Sequence, residues 1–366
     1  MDFSLSEEQQ MLLDTTRRFV AAEYGFDYRR RVLDSAEGWS RSTWQQLAEL
    51  GLLAVDIPEA DGGIAAGGVG TMLVSQVMGE GLLVEPFVSS AVVATAAVVR
   101  LGSDAQRAHW LPLLSSGERV AVLAHDEAGD SVETRAVRNG DSWVLSGSKS
   151  AVYHAPLADL YLVSARDDAG RLGVFGVDPG TPGVKVNAYT SVDGQRVADL
   201  TLDGVIASAR WGGDAENALQ DVLDIGLAAL CAEAVGVLDR VLKATIEYSR
   251  SRVQFGVAIG SFQALQHRMA EMLMHVEQAR SMGYLATARR DDADPQARRA
   301  ALAGAKVLIG QAARYVGQQA VQLHGGMGMT DELDVSHCFK RLLAFELRMG
   351  TTDEHLALYR RLLQAA

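Results

Sequence analysis

Near the carboxyl end of the sequence, a glycine turn and a polar Gly-Thr-Thr element lie one predicted helix apart. The turn spans Gln322 to Gly328, and the polar element spans Gly350 to Thr352. Paired glycines supply the positive φ angles of a helix C-cap, and they let a ligand approach the bare backbone closely. Taken alone, the pattern is typical of either a ligand-binding turn or a simple helix cap.

A second patch runs from Arg252 to Gly256 and is followed by Gln263. An arginine offers a rigid fork of donors to a pyrophosphate, an aromatic ring such as Phe255 offers a face to adenine, and a glutamine can bind polar atoms of the ring or the ribose. These residue types therefore suit a dinucleotide. The alternative is an arginine that compensates the negative end of a helix, with a core phenylalanine behind it.

Together, the Gln-x-x-Gly-Gly-x-Gly run from Gln322, the Gly350 to Thr352 element and the Arg-x-x-Phe-Gly corner at Arg252 resemble the acyl-CoA dehydrogenase family. The resemblance extends over nearly all 366 residues. It implies an FAD-dependent oxidoreductase that desaturates an acyl-CoA thioester between its α and β carbons. In such a reaction a carboxylate base takes the α-proton, and a hydride passes from the β-carbon to the flavin.

The resemblance also implies partners and binding residues. The two patches are expected to surround one FAD from different subunits, so we expect a dimer or tetramer, or pairing with a homologous second chain. An electron-transfer flavoprotein is the implied electron acceptor. The residues expected to contact FAD are Arg252, Gln254, Phe255, Gln263, Gln322, Gly325, Gly326, Thr351, Thr352 and Asp353. The residues expected to contact the substrate are Asp224 and Gly350.

The sequence departs from the family pattern where the catalytic base should stand. The family's glutamate directly precedes the Gly-Thr pair, and Met349 occupies that position, where a thioether cannot take a proton. A second base position, near the start of the first long bundle helix, corresponds to Gly226. Asp224 lies two residues away, and it is either a contact to coenzyme A or a solvated carboxylate. The catalytic residue is therefore unassigned.

Three functions are compatible with this departure. The first is an active dehydrogenase with an unrecognised base, for which Asp224 is the candidate. The second is a partner subunit of a heteromeric acyl-CoA dehydrogenase, which lacks a base of its own. The third is another flavin chemistry, or a binding protein that keeps the fold.

The middle of the chain departs from the family as well. The Thr-Glu-Pro-x-x-Gly-Ser-Asp loop and the Trp-Ile-Thr strand, which wall the flavin in the family, are replaced by Ala124 to Ser131 and by Ala151 to Tyr153. His125 is either a replacement hydrogen-bond donor or a structural residue, and Tyr153 either stacks in place of the tryptophan or is structural. We expect FAD binding that is weaker than in the family or shared with another chain.

Composition argues against several partners. With a net charge of −12 and no basic run, the chain has no electrostatic footprint for nucleic acid and would repel an anionic membrane. The two cysteines, Cys231 and Cys338, lie in separate helical stretches, so we expect buried free thiols, no disulfide and no metal site. The amino terminus is acidic, and no apolar run of about 20 residues occurs, so we expect a cytoplasmic protein without membrane insertion.

These patches must be positioned by an α+β fold that is mostly α. Residues 1–119 predict an all-α domain, residues 120–208 an antiparallel β domain with a hairpin at Asn139-Gly140, and residues 209–366 a four-helix bundle. Helical spacing and caps predict helices over residues 6–23, 42–50, 69–79, 85–100, 104–116, 216–252, 262–290 and 295–324. β-like runs predict strands at residues 121–124, 143–146, 161–164, 173–176 and 198–202.

Overall fold

The first helix begins where the local sequence predicts it. The Ser6 hydroxyl accepts a hydrogen bond from Gln9 N at 3.2 Å, and Gln9 Oε1 accepts one from Ser6 N at 3.0 Å. This reciprocal capping box satisfies donors that the first turn of a helix leaves unpaired. The helix then runs from Glu7 to Glu23, which confirms the prediction.

The computed structural model describes residues 4–129, 131–207, 209–213 and 215–364. The chain divides into two compact units. We call the first the bundle unit, which comprises Met1–Arg31, Gly68–Leu83 and Leu227–Ala366. We call the second the sheet unit, which comprises Val32–Gly67 and Val84–Gly226.

The described elements follow in chain order. The α-helices are α1 (Glu7–Glu23), α2 (Phe26–Asp34), α3 (Arg41–Glu49), α4 (Gly67–Gly81), α5 (Thr95–Leu101), α6 (Asp104–Ser115), α7 (Glu216–Ser251), α8 (Gln263–Arg289), α9 (Pro295–His324), α10 (Asp334–Leu347) and α11 (Thr352–Gln364). The strands are β1 (Ala121–Ala124), β2 (Arg135–Asn139), β3 (Ser142–Tyr153), β4 (Leu160–Asp167), β5 (Leu172–Val177), β6 (Val184–Thr190), β7 (Arg196–Ala207), β8 (Ala209–Trp211), β9 (Val253–Gln254) and β10 (Val257–Ala258). A π-helical segment, Phe87–Ala94, precedes α5.

The long helices α7, α8 and α9 match their predicted ranges to within one residue at each end. α9 starts at Pro295 because Asp294 caps it, accepting hydrogen bonds from Gln296 N at 2.9 Å and Ala297 N at 3.3 Å. The sequence did not predict α2, α11, β2, β6, β8 and the β9–β10 pair. β6 was missed because nearly all of it is exposed, so it lacks the alternation that marks a strand with one buried face.

A single sheet organises the sheet unit. Its strand order is β6-β7-β3-β2-β4-β5-β8, with β1 beside β4. The Asn139-Gly140 hairpin is confirmed, since β2 and β3 pair antiparallel up to Asn139 and Ser142. Most neighbours are antiparallel, but β1 and β2 both pair parallel to β4, on successive stretches of it. The segment between β1 and β2 contains the altered loop.

Two glycines let helices of the bundle unit approach closely. A Cβ added to Gly236 of α7 would lie 1.9 Å from Gln76 O of α4. A Cβ added to Gly79 of α4 would lie 2.0 Å from Glu233 O of α7. Each backbone therefore fills the space that a side chain on the other helix would need.

The expectation of buried free thiols is confirmed, since Cys231 and Cys338 are buried and free. Burial raises the pKa of each thiol to about 12, which makes both unreactive as thiolates at neutral pH. Within the residues that the structure describes, no helix is both long enough and apolar enough to cross a membrane.

Candidate functional site

The Arg252 corner forms a small hairpin at the end of α7. Gln254 pairs with Val257, so Phe255 and Gly256 make the turn between β9 and β10. Both turn residues have positive φ, at 54° and 81°, as a type I′ turn requires. The Phe255 side chain is 91% exposed, and its ring lies edge-on to Phe262, at a centroid distance of 6.2 Å. The alternative of a core phenylalanine behind the arginine is therefore wrong.

The glycine turn directly follows α9. Gly325 has a φ of 60° and caps the helix through its N–H, which donates to Gln322 O. Gln322, Gly325 and Gly326 are exposed, and a Cβ at either glycine would meet no atom within 4 Å. The turn is thus both a helix cap and an open stretch of backbone. The two interpretations of the sequence, a helix cap and a ligand-binding turn, are therefore compatible.

The structure brings these two patches together within one chain. The Tyr248 hydroxyl donates to His324 O at 3.4 Å, and the two rings stack with centroids 4.2 Å apart. Tyr248 lies one turn before Arg252, and His324 directly precedes the glycine turn. α8 returns the chain between α7 and α9, so both helices end at the same end of the bundle unit.

The Gly-Thr-Thr element joins α10 to α11. Thr351 N and the Thr351 hydroxyl donate to Glu354 Oε2 at 2.7 and 3.0 Å, and Glu354 N donates back to the Thr351 hydroxyl at 3.3 Å. Thr352 N and the Thr352 hydroxyl donate to Glu346 Oε1 and Oε2 at 3.1 and 2.7 Å. Asp353 is exposed in the first turn of α11. The spacing of Thr351 and Glu354 is the Thr-x-x-Glu spacing of a capping box.

Met349, at the position of the missing base, is held through its backbone. Its φ is 54°, and Met349 O accepts a hydrogen bond from His355 Nε2 at 2.8 Å. His355 Nδ1 is buried without a hydrogen-bond partner among the described residues, and burial lowers the pKa of this histidine. His355 is therefore neutral at pH 7, with its proton on Nε2. Sequence reasoning missed it, because nothing in its local pattern distinguishes it from other helical histidines.

Lys306 of α9 supports the same turn from the other side. Its side chain is fully buried, and Nζ donates to Phe345 O and, at 2.8 Å, to Arg348 O. These carbonyls end α10 and would otherwise lack partners. Burial lowers the pKa of Lys306 to about 8. Lys306 and His355 together fix the backbone path around Met349 by contacts to carbonyl oxygens.

Because Lys306 is buried, we expect the free energy of unfolding to rise with pH. Its pKa is about 8 in the folded protein and 10.5 ordinarily, so between these values the unfolded chain binds a proton that the folded protein has lost. The free energy of unfolding should therefore rise over this window, by up to about 3 kcal/mol. Urea unfolding at about pH 7 and about pH 10 measures the rise. In Lys306→Met, the rise in the free energy of unfolding should be smaller by that amount. If the free energy of unfolding rose equally with pH in both proteins, the lowered pKa of Lys306 would be contradicted.

The second base position and Asp224 both lie on α7. Gly226 is buried. Asp224 is only 4% exposed, and its Oδ1 accepts a hydrogen bond from Gln220 Nε2 at 2.9 Å. The interpretation of Asp224 as a solvated carboxylate is therefore wrong, because the sequence did not show which face of the helix is covered.

The altered middle loop is built around a buried lysine that sequence reasoning missed. Lys149 Nζ donates to Glu127 Oε1 at 2.6 Å, to Ser164 Oγ at 3.0 Å and to His125 O at 3.1 Å. Burial lowers the pKa of both Lys149 and His125, and His125 Nδ1 lies 3.1 Å from Ser164 Oγ. His125 is therefore part of a structural network. Asp130 of this loop lies outside the described residues.

The stretch that stands in place of the family's Trp-Ile-Thr strand is Ala151 to Tyr153, at the end of β3. Ala151 is exposed, has a φ of 51° and donates its N–H to Asp199 Oδ1 at 2.9 Å. The Tyr153 hydroxyl lies 3.3 Å from Ser191 Oγ, within the same sheet unit. This bond fixes the end of the tyrosine side chain, which favours the structural interpretation.

Comparison with known proteins agrees with the fold and the motifs. Residues 6–118, 126–205 and 216–363 match the N-terminal, middle and C-terminal domains of acyl-CoA dehydrogenases. The chain is 30% identical to acyl-CoA dehydrogenase FadE27 of Mycobacterium tuberculosis, over 96% of this chain and 95% of that protein.

Two solved structures share the fold closely. The ChsE4-ChsE5 complex of Mycobacterium tuberculosis matches with a TM-score of 0.92 at 28% identity, over 100% of both chains. The Tcur3481-Tcur3483 steroid ACAD matches with a TM-score of 0.92 at 29% identity, over 99% of both chains. The chain therefore belongs to the acyl-CoA dehydrogenase family, whose members are flavin-dependent oxidoreductases.

Proposed function

We propose that this chain serves the FAD-dependent α,β-desaturation of an acyl-CoA thioester. The observation that carries the proposal is the exposed corner of the bundle unit, where Arg252 and the outward Phe255 ring lie at the same end as the open backbone of Gly325 and Gly326. A guanidinium, an aromatic face and bare backbone suit a diphosphate joined to adenine. The bound FAD supplies the hydride acceptor of the reaction.

Three glutamines extend this corner. Gln254, Gln263 and Gln322 are all exposed, so their amide groups are accessible for polar atoms of the adenine and ribose. With Arg252, Phe255 and the two glycines, they form the part of the chain that fits FAD.

Two residues are proposed to contact the substrate. At Gly350, φ is 94°, and a Cβ would lie 2.8 Å from His355 Nε2, so the turn after Met349 requires glycine. Asp224 is the proposed contact to the coenzyme A portion. Its carboxylate is buried near the start of α7, and Asp224→Asn tests whether it instead takes the α-proton.

A second candidate, the partner subunit of a heteromeric dehydrogenase, is favoured by the missing base. Met349 has no titratable side chain, and Gly226 has no side chain at all. The structurally similar ChsE4-ChsE5 protein is a complex of two differently named chains. In this candidate, a homologous second chain supplies the carboxylate that takes the α-proton, and the present chain supplies the Arg252 corner.

Either assembly needs an interface, for which we propose the exposed apolar side chains of the bundle unit. These large side chains are between 39% and 69% exposed: Leu273, Met274, Met327, Met329 and Leu347. Exposed apolar groups in such number are typical of an interaction surface. The partner is a second copy or a homologous chain, and by family resemblance an electron-transfer flavoprotein takes the electrons.

We also propose that the chain is organised as three domains, at residues 1–119, 120–208 and 209–366. The three family-domain matches fall inside these ranges, which supports the division.

The direct test is the visible absorbance spectrum of the chain purified alone, followed by anaerobic addition of short, long and sterol-like acyl-CoA thioesters. Bleaching of the flavin identifies a complete dehydrogenase. A bound flavin that no thioester bleaches, or no flavin, favours the partner subunit, and bleaching should then appear on mixing with a homologous chain that carries the family's glutamate. Absence of bleaching in both cases contradicts the proposed reaction.

Arg252→Gln is expected to weaken FAD binding by about 10-fold or more, because a hydrogen bond to a charged group contributes about 1.5–3 kcal/mol. Quenching of FAD fluorescence measures the affinity. Arg250→Gln is the matched control, since Arg250 is also exposed at the end of α7 but lies on a different face of the helix. If both variants lost the same FAD affinity, the loss would come from the change in net charge and not from a contact at the Arg252 corner.

A further inference from the structure

At the start of α11, four hydrogen-bond donors are occupied by carboxylates of the same chain. They are the N–H groups and hydroxyls of Thr351 and Thr352, which this helix end could otherwise offer to an anion. Glu354 takes both donors of Thr351 within 3.0 Å, and Glu346 takes both donors of Thr352 within 3.1 Å. These are the residues that the family resemblance assigns to the diphosphate end of the flavin.

The carboxylates of Glu354 and Glu346 are both held by neighbouring groups. The hydrogen bonds from Thr351 hold the pKa of Glu354 below its ordinary value, so this carboxylate is charged at neutral pH. The Glu346 side chain is only 15% exposed, and Arg314 lies 3.5 Å from it. Asp353 adds a third acidic group in the first turn of α11. The positive end of the helix dipole is thus already matched by negative charge.

A glycine in α9 leaves space for the hydrogen bond between Glu346 and Thr352. A Cβ added to Gly310 of α9 would lie 2.3 Å from the Thr352 hydroxyl and 2.7 Å from Glu346 Oε2. A glycine inside a long helix is unfavourable for that helix, and here it makes room for the Glu346–Thr352 pair. A neighbouring helix is therefore shaped around the closed arrangement.

From this arrangement we infer that the Gly350 to Thr352 element of this chain does not bind the diphosphate of FAD, because Glu346 and Glu354 close it. An approaching diphosphate would have to displace hydrogen-bonded carboxylates and then lie beside them, and like charges repel. The inference rests on the proposed function only in naming FAD as the ligand. It assigns cofactor contact in this chain to the Arg252 corner and the glycine turn, and it removes Thr351, Thr352 and Asp353 from the cofactor site.

The test compares FAD affinity in four full-length proteins: the wild type, Arg252→Gln, Thr352→Val and the double variant Glu346→Gln with Glu354→Gln. Thr352→Val should bind FAD within about 2-fold of the wild type, while Arg252→Gln loses about 10-fold or more. The double variant keeps amide oxygens as acceptors but removes the charges, so its affinity should be equal or higher. If Thr352→Val weakens FAD binding as much as Arg252→Gln does, the inference is overturned.

Amide hydrogen exchange gives an answer even where a variant does not fold or FAD does not bind. In the wild type, exchange at Thr351 and Thr352 should be slow and unchanged by FAD or by inorganic pyrophosphate. Slower exchange at these two amides on adding either probe overturns the inference. Thioester bleaching of the flavin is a separate readout, so failure of the proposed reaction and failure of this inference are distinguishable.

Discussion

Replacing Gly236 by alanine is expected to destabilise the bundle unit by about 3 kcal/mol, since overpacking typically costs about 1–3 kcal/mol and this site is severe. The new methyl carbon would lie 1.9 Å from Gln76 O and 2.8 Å from Gln76 C, both backbone atoms of α4. Neither atom can yield without moving the whole helix. The gain in helix propensity from glycine to alanine, about 1 kcal/mol, opposes only part of this cost. Urea unfolding followed by circular dichroism gives the difference.

Gly304→Ala is the matched control for this prediction. Gly304 also lies inside a long helix, α9, but the atom nearest to an added Cβ is Tyr359 Cε2 at 3.6 Å, an ordinary contact. This substitution should leave stability unchanged or raise it by up to about 1 kcal/mol, through helix propensity alone. If Gly236→Ala were as stable as Gly304→Ala, the close crossing of α4 and α7 would be refuted.

The second large effect is expected at the buried ion pair of Glu233 and Arg341. Arg341 Nη1 donates to Glu233 Oε1 at 2.8 Å and Nη2 donates to Leu83 O at 2.9 Å, with the two side chains only 3% and 8% exposed. Glu233→Gln keeps the shape but leaves the arginine charge buried beside a neutral amide. We expect a loss of about 3–5 kcal/mol in the free energy of unfolding.

A double-mutant cycle separates the pair from its parts. The combined variant Glu233→Gln with Arg341→Met removes both charges, so its loss should be clearly less than the sum of the single losses. Glu277→Gln is the control, because Glu277 is largely exposed beside Arg280 and its loss should stay below about 1 kcal/mol. Additive losses at Glu233 and Arg341 would show that the two charges do not depend on each other.

These two sites are close in sequence and lie on the same stretch of α7. Glu233 and Gly236 lie one helical turn apart, so a single stretch of α7 carries both the close backbone crossing with α4 and the charge that pairs with α10. Hydrophobic spacing predicted that this stretch is helical. It did not indicate that this stretch and α4 cross at backbone distance.

In the proposed function, the chain combines a corner that binds FAD with an element that is closed to it. Arg252, Phe255 and the glycine turn are exposed, whereas Thr351 and Thr352 are held by carboxylates. The base position holds Met349, whose backbone is fixed by His355 and Lys306. A chain built in this way keeps the architecture of the catalytic turn without its proton acceptor, which makes the partner-subunit candidate worth testing first.

Much of this followed from local sequence. Helical spacing placed α7, α8 and α9, the Asn139-Gly140 pair placed a hairpin, and paired glycines placed the turn after His324. These features depend on residues a few positions apart, whose backbone preferences act within one turn or one strand. The family resemblance and the missing glutamate at Met349 also came from short spacings along the chain.

Other features were decided only by the tertiary structure. Lys306 meets the end of α10, Lys149 meets Glu127, and Gly236 meets α4, in each case across a long separation in sequence. A buried lysine and an exposed one look alike in a sequence, because burial and partners are set by which elements the fold packs together. Glu346 and Thr352 are near in sequence, yet they meet only because the positive φ angles at Met349 and Gly350 turn the chain back between α10 and α11.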